Sequence, residues 1–139
     1  MSCDRTPANG SPSARLQPGA TERRFAVVVG NNRGATARRP LRFAERDAFK
    51  VARVLTELGH FAANDVFLQQ GRSSDELRLQ LANLRQAITK ARADNPATRA
   101  LLVLYFSGHS DGVALELGED RLPYADLRAL LLATGADVR

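Results

Sequence analysis

"LVLYFSGHSDG", residues 102–112, is the stretch on which the reading of this chain turns. The apolar run that feeds into it, "ALLVLYF" over 100–106, has the length of a strand and falls far short of the ~18–20 residues of a membrane span. It is apolar at successive positions rather than alternate ones, which predicts a strand buried on both faces, as in parallel sheets. The run gives way to Gly108 and His109. In open α/β sheets, ligands bind outside the carboxyl ends of the strands. His109 is therefore expected just past the end of its strand, exposed, as a general acid or base able to work near neutral pH. Gly108 lets a substrate approach the backbone closely, and its N–H is a candidate donor to a developing oxyanion.

Working outward, "FAVVVG", 25–30, predicts a first strand that is also buried on both faces. A polar, arginine-rich loop follows, then a helix in "LRFAERDAFKVARVLTELG" with Ala48, Val51, Ala52, Leu55 and Leu58 at helical spacing and Gly59 as its stop. "DVFLQ", 65–69, predicts a second strand. Ser73 with Glu76 three residues on is a capping box, opening a helix with Leu77, Leu81, Leu84, Ile88 and Ala91 on one stripe. "RALLVLYF", 99–106, is the third strand, followed by a small hairpin over 113–122 and a last helix that starts at Pro123, carries Leu127, Leu130 and Leu131, and closes at Gly135. Strands alternating with helices imply an α/β fold on a mostly parallel sheet. The third strand expects a neighbour on each side. The first strand supplies one, and an open second edge predicts self-association through it.

The bulk numbers set the function classes. At 139 residues, 44% hydrophobic and 25% charged, the chain fits one globular domain. The net charge of +5 comes from 18 arginines scattered along the sequence, with Lys50 and Lys90 the only lysines, so no nucleic-acid surface is expected. No membrane partner and no export signal are read from the sequence, and a cytoplasmic location is expected. Residues 1–22, rich in Pro, Gly, Ser and Ala, predict a disordered leader ahead of a domain at 23–139. The single cysteine, Cys3, falls in that leader, so no disulfide framework exists. One cysteine and two histidines far apart match no metal-site spacing, and neither metal nor cofactor is expected. "VVVGNNRG" lacks the Lys-Ser/Thr of a P-loop and the third glycine of a dinucleotide site, leaving a nucleotide-binding α/β domain as a remote alternative. Ser107, His109 and Asp111 are too close along one extended segment to form a relay. His60, in "LGHF", reads as a turn residue.

Taken together, "RRFAVVVGNNRG", "LRFAERDAFKVARVLTELGHF" and "LLVLYFSGHSDG" resemble the p20-type catalytic half of caspase-like peptidases, most closely the bacterial caspase and metacaspase group. The resemblance covers about residues 23–139. It departs from the family at "GHSDG", where many members carry "GHG". What it implies is the N-terminal part of a caspase–haemoglobinase-type three-layer sandwich and a cysteine-type endopeptidase acting on peptide or protein substrates through a Cys-His dyad. His109 matches the catalytic histidine and Gly108 the oxyanion glycine. Asp47 matches an aspartate that helps hold a basic P1 side chain in metacaspase-like members. Caspases instead use an arginine after the first strand for a P1 aspartate, and Arg33, Arg38, Arg39 and Arg42 lie in that loop. Both ion pairs are physically sound; the resemblance favours Asp47 and a basic P1. The family's cysteine follows its histidine by roughly 50 residues. Thirty residues follow His109 here and none is cysteine. The resemblance then implies a chain that stops before its nucleophile, with a non-catalytic interaction module of the same fold as the alternative.

Overall fold

The computed structural model describes residues 20–139. Of the expected leader, residues 1–19 with Cys3 lie outside the described residues. The first strand, β1, spans Glu22–Gly30. Helix α1, Ala44–Glu57, and a short 3-10 turn lead to β2, Val66–Gln70. Helix α2, Ser74–Asp94, leads to β3, Arg99–Ser107. Three short strands follow, β4 (His109–Ser110), β5 (Ala114–Leu117) and β6 (Asp120–Pro123), before helix α3, Tyr124–Ala133.

β2, β1 and β3 form a parallel sheet in that order, with β1 in the middle. Its side chains alternate between two cores, as the period of two along a strand requires. Ala26 and Val28 pack with Ala48, Ala52 and Phe61 on the α1 side. Phe25, Val27 and Val29 pack on the other side with the α2 stripe and with Leu122 and Leu127 of β6 and α3. The chain runs from β1 outward to β2 and then back across β1 to β3. Right-handed crossovers in opposite directions place their helices on opposite faces. The result is a mixed α/β fold in three layers, helix, sheet, helix, consistent with the caspase-like architecture.

The expected α2 is present in detail. Ser73 is its N-cap, accepting from the Glu76 N–H, and the Glu76 carboxylate accepts in turn from the Ser73 N–H at 2.9 Å. Leu77, Leu81, Leu84, Ile88 and Ala91 are all buried. Other boundaries differ for local reasons. β1 begins at Glu22 rather than Phe25, because Glu22, Arg23 and Arg24 continue the ladder opposite Arg99, Ala100 and Leu101. Leu58 is 74% exposed: α1 ends at Glu57, so the position falls beyond the last turn of the apolar stripe. The left-handed residue after α1 is His60, φ 58°, and not Gly59. Gly59 is instead required by space, since a Cβ there would lie 2.7 Å from the Leu55 carbonyl oxygen. Pro123 is the N-cap of α3 rather than its first residue, and Gly135 closes that helix at φ 76°.

β3 is bonded to β1 along its whole length, while among the described residues its other side meets the single parallel bridge Leu101–Val138. There the Leu102 N–H donates to Val138 O at 2.8 Å and the Asp137 N–H to Ala100 O at 2.9 Å. The Asp137 carboxylate accepts from the Ala100 N–H and from Arg92, both at 2.7 Å.

Leu84, fully buried between α2 and the sheet, is expected to cost about 2–5 kcal/mol when cut to alanine. Gly30→Ala is expected to cost about 1–3 kcal/mol by overpacking, because its Cβ would meet Ala44 O at 2.6 Å and Ala48 Cβ at 2.7 Å. Leu79→Ala, on the exposed side of α2, should stay within about 0.5 kcal/mol. Urea unfolding of the three variants checks the ranking.

Candidate active site

β1 and β3 are neighbours, and the chain leaves their carboxyl ends toward opposite faces of the sheet: after β1 toward α1, after β3 toward the hairpin and α3. Such a divergence opens a crevice at the sheet edge. Both segments singled out in the sequence emerge here.

The loop after β1 is held by asparagines. The Asn31 N–H donates to Ser107 O at 2.9 Å, carrying the ladder one step past the strand. Its buried side chain accepts from the Arg33 N–H at 3.0 Å and donates to Arg72 O at 3.3 Å. Asn32 ties the loop to the start of α1: its N–H donates to Glu45 Oε1 at 3.2 Å, and its side-chain oxygen accepts from the Glu45 N–H at 3.3 Å. The Leu41 N–H donates to Asn32 O at 2.7 Å and closes the loop.

His109 stands just past β3, as expected, but half-buried and built into a strand that the sequence did not reveal: β4 pairs with β5, placing His109 directly opposite Glu116. Its Nε2 lies 3.0 Å from the backbone carbonyl of Arg39. A carbonyl only accepts, so Nε2 carries the proton and, in the neutral ring, Nδ1 carries the lone pair. Gly34 packs against the same ring. A Cβ on it would fall 2.8 Å from His109 Cδ2 and 2.5 Å from Glu116 Oε2, so only glycine fits. Gly108 is equally confined, its missing Cβ 2.6 Å from Phe106 Cζ and 3.2 Å from Asn31 O. Among the described residues no acceptor takes the Gly108 N–H.

Glu116 is 3% exposed. Its Oε2 accepts from the Ala35 N–H at 3.1 Å, and its Oε1 accepts from Arg38 Nε at 3.2 Å and Nη2 at 2.9 Å. The Ala35 N–H, followed by the Arg38 guanidinium, holds this carboxyl below the usual glutamate range against the opposing pull of burial, and the nearby His109 adds in the same direction. Asp111 belongs to the hairpin and not to His109: its carboxylate accepts from the Val113 and Ala114 N–H groups and pairs with Arg121. The Val113 N–H is the main cause of its lowered pKa.

The remaining candidates are spread. Arg33 lines an open cleft of about 300 Å³ with Asn31, Glu45, Arg72 and Ser73, and its side chain has no ion pair among the described residues. Asp47 sits half-buried in the first turn of α1 and faces Lys50 at 4.0 Å on its own helix. Arg38 is committed to Glu116, and Arg39 contributes its backbone. Among the described residues no group of three His, Cys, Asp or Glu side chains is placed to hold a metal ion, and no helix is long and apolar enough to cross a membrane.

A family model described as the caspase domain matches residues 23–129. The chain belongs to the caspase domain family. Neither a curated protein nor a solved structure gives a significant match. The caspase domain match supports a cysteine-peptidase type of function, and it spans every segment assembled at the crevice: the loop after β1, Gly108 and His109, and β5 with Glu116. Glu116 is the residue that sequence reasoning missed in this caspase-family site. The available signal was a lone carboxylate inside "VALEL", whose residues 114–117 are all buried.

Because the folded-state pKa of Glu116 is lowered, its contribution to stability is full above the ordinary glutamate range and is lost as pH falls through the folded value. Glu116→Gln should therefore lower the urea midpoint near pH 7. The gap from the native chain should shrink below about pH 4, read by urea titrations across pH.

Proposed function

We propose that this chain supplies the histidine half of a Cys-His dyad in a cysteine endopeptidase of the bacterial caspase and metacaspase type. The observation that supports it best is the geometry of His109: Nε2 is engaged by the Arg39 carbonyl, leaving Nδ1 as the free base at the carboxyl edge of the sheet. The thiol would come from outside residues 20–139. Residues 137–138 already run parallel beside β3. A strand continuing in that register would draw level with Ser107 about six residues past Val138. A cysteine following such a strand would face His109.

In that arrangement Nδ1 takes the thiol proton and the thiolate sulfur attacks the scissile carbonyl carbon. The oxyanion receives the Gly108 N–H. The carbon–nitrogen bond then breaks, the amine leaves with the proton held on Nδ1, and water hydrolyses the thioester with Nδ1 again as base. No metal or cofactor enters these steps. For the P1 side chain, Arg33, without an ion pair among the described residues, is the candidate partner of an acidic residue, and Asp47 that of a basic one, which would compete with its 4.0 Å contact to Lys50.

The test is a pair of proteins, the 139-residue chain and one extended through the next strand and its cysteine. Both are assayed on peptides ending in Asp, Arg or Lys. The extended protein should cleave, and the short one should not. A general base contributes typically ~10²–10⁴-fold and only to a nucleophile within reach, and dyad members act as a unit. His109→Ala should remove nearly all activity of the extended protein. Loss of cleavage after Asp in Arg33→Ala, or after Arg and Lys in Asp47→Ala, assigns the P1 pocket. His109-dependent cleavage by the short chain, or an inactive extended chain carrying the cysteine, overturns the proposal.

A further inference from the structure

We infer that Glu116 is a positioning residue for His109, acting through the loop after β1. The inference rests on His109 being the acid/base of the site. The Arg39 carbonyl that receives Nε2 lies in a stretch, Thr36 to Leu41, that is exposed throughout. Little else holds it. Its base is closed by the Leu41–Asn32 hydrogen bond, and its outer side by an exposed bond from the Thr36 hydroxyl to Glu119 at 2.6 Å.

Glu116 is the buried anchor of this stretch. One oxygen holds the Ala35 N–H and the other holds both Arg38 nitrogens. These two contacts bracket a turn in which the Arg38 N–H donates to Ala35 O at 2.7 Å. Arg39 follows directly, and Pro40 after it restricts the Arg39 backbone to extended conformations. The carbonyl direction is thus set from both sides, by Glu116 upstream and by the proline ring downstream.

The same carboxylate stands across from His109 on the paired strand and beside the Gly34 backbone that covers the ring. A charge-assisted hydrogen bond is stronger than a neutral one, and in this pair the carboxylate is buried while Arg38 is half-exposed. Removing the carboxylate's charge weakens the hold on Arg38 and leaves the stretch to its base bond with Asn32, the Gly118 N–H bond to Arg33 O at 3.0 Å and the exposed Thr36–Glu119 bond, so the carbonyl holds Nε2–H less firmly.

The test is the exchange of the His109 Nε2 proton with water, followed by nitrogen-edited NMR on the 139-residue chain at mildly alkaline pH and assigned by its loss in His109→Ala. The native chain should show a protected imidazole N–H. Glu116→Gln should speed its exchange by about tenfold or more, with the amides of β1 and β3 unchanged. Arg38→Ala, on the half-exposed side of the pair, should do the same if Glu116→Gln fails to fold, and Arg38→Lys should restore protection in part. A His109 N–H as protected in Arg38→Ala and in any folded Glu116→Gln as in the native chain overturns the inference. The measurement needs no nucleophile, so an inactive extended protein would count against the peptidase proposal and leave this result standing.

Discussion

The parallel pairing of β1 with β3 is the constraint on which the rest depends. It runs unbroken from Glu22–Arg99 to Gly30–Ser107. Nine residues in one register fix where both strands end, and so fix which parts of the two following loops can meet. A slip of one residue would turn the alternating side chains of either strand to the wrong core. The buried faces of β1 exclude that slip, and Asn31 carries the register past the sheet by bonding to Ser107 O. From there Gly34 reaches the His109 ring and the Arg39 carbonyl reaches Nε2.

Much of this was legible in the sequence because it is written in local patterns. The run "FAVVVG" announces a strand buried on both faces, as β1 is, and the Ser73–Glu76 box with its leucine stripe announces α2. "ALLVLYF" announces a strand, but β3 lies at the edge of the described sheet, where only Ala100 and Leu102 are buried and the rest is half-buried. His109 and Gly108 stand out as candidates because a titratable residue beside a glycine at a strand's end is itself a local signal. What escaped is non-local. β4 is two residues long and exists only because β5 pairs with it. Glu116 reads as one charge among many until the fold places Ala35 and Arg38 against it. Arg38 looked like any other loop arginine for the same reason. His60 is the turn residue the sequence suggests, but it also takes the left-handed conformation expected of Gly59, because a crowded backbone and a left-handed turn both favour glycine and the sequence does not say which need stands where.

The two edges of the sheet are treated differently. β2 is short, five residues, which limits its value as a pairing edge, and its Gln69 and Gln70 side chains donate to Glu76 O and Glu45 O of the two flanking helices. β3 is apolar on both faces and continues into pairing with residues 137–138, where Asp137 fixes the contact through the Ala100 N–H and Arg92. The Ala100 N–H holds the Asp137 carboxyl below its usual range, with Arg92 adding to it. The register of whatever lies beside β3 is thus set at its amino end, far from the crevice.

The bond between His109 Nε2 and the Arg39 carbonyl has one further consequence. An imidazole that turns freely can pick up a proton on one nitrogen and release it from the other, passing it along like a wire. Here one nitrogen is spoken for and the ring is walled by Gly34. In the proposed dyad, every proton this histidine handles would arrive and depart through the same atom, a shuttle with a single door.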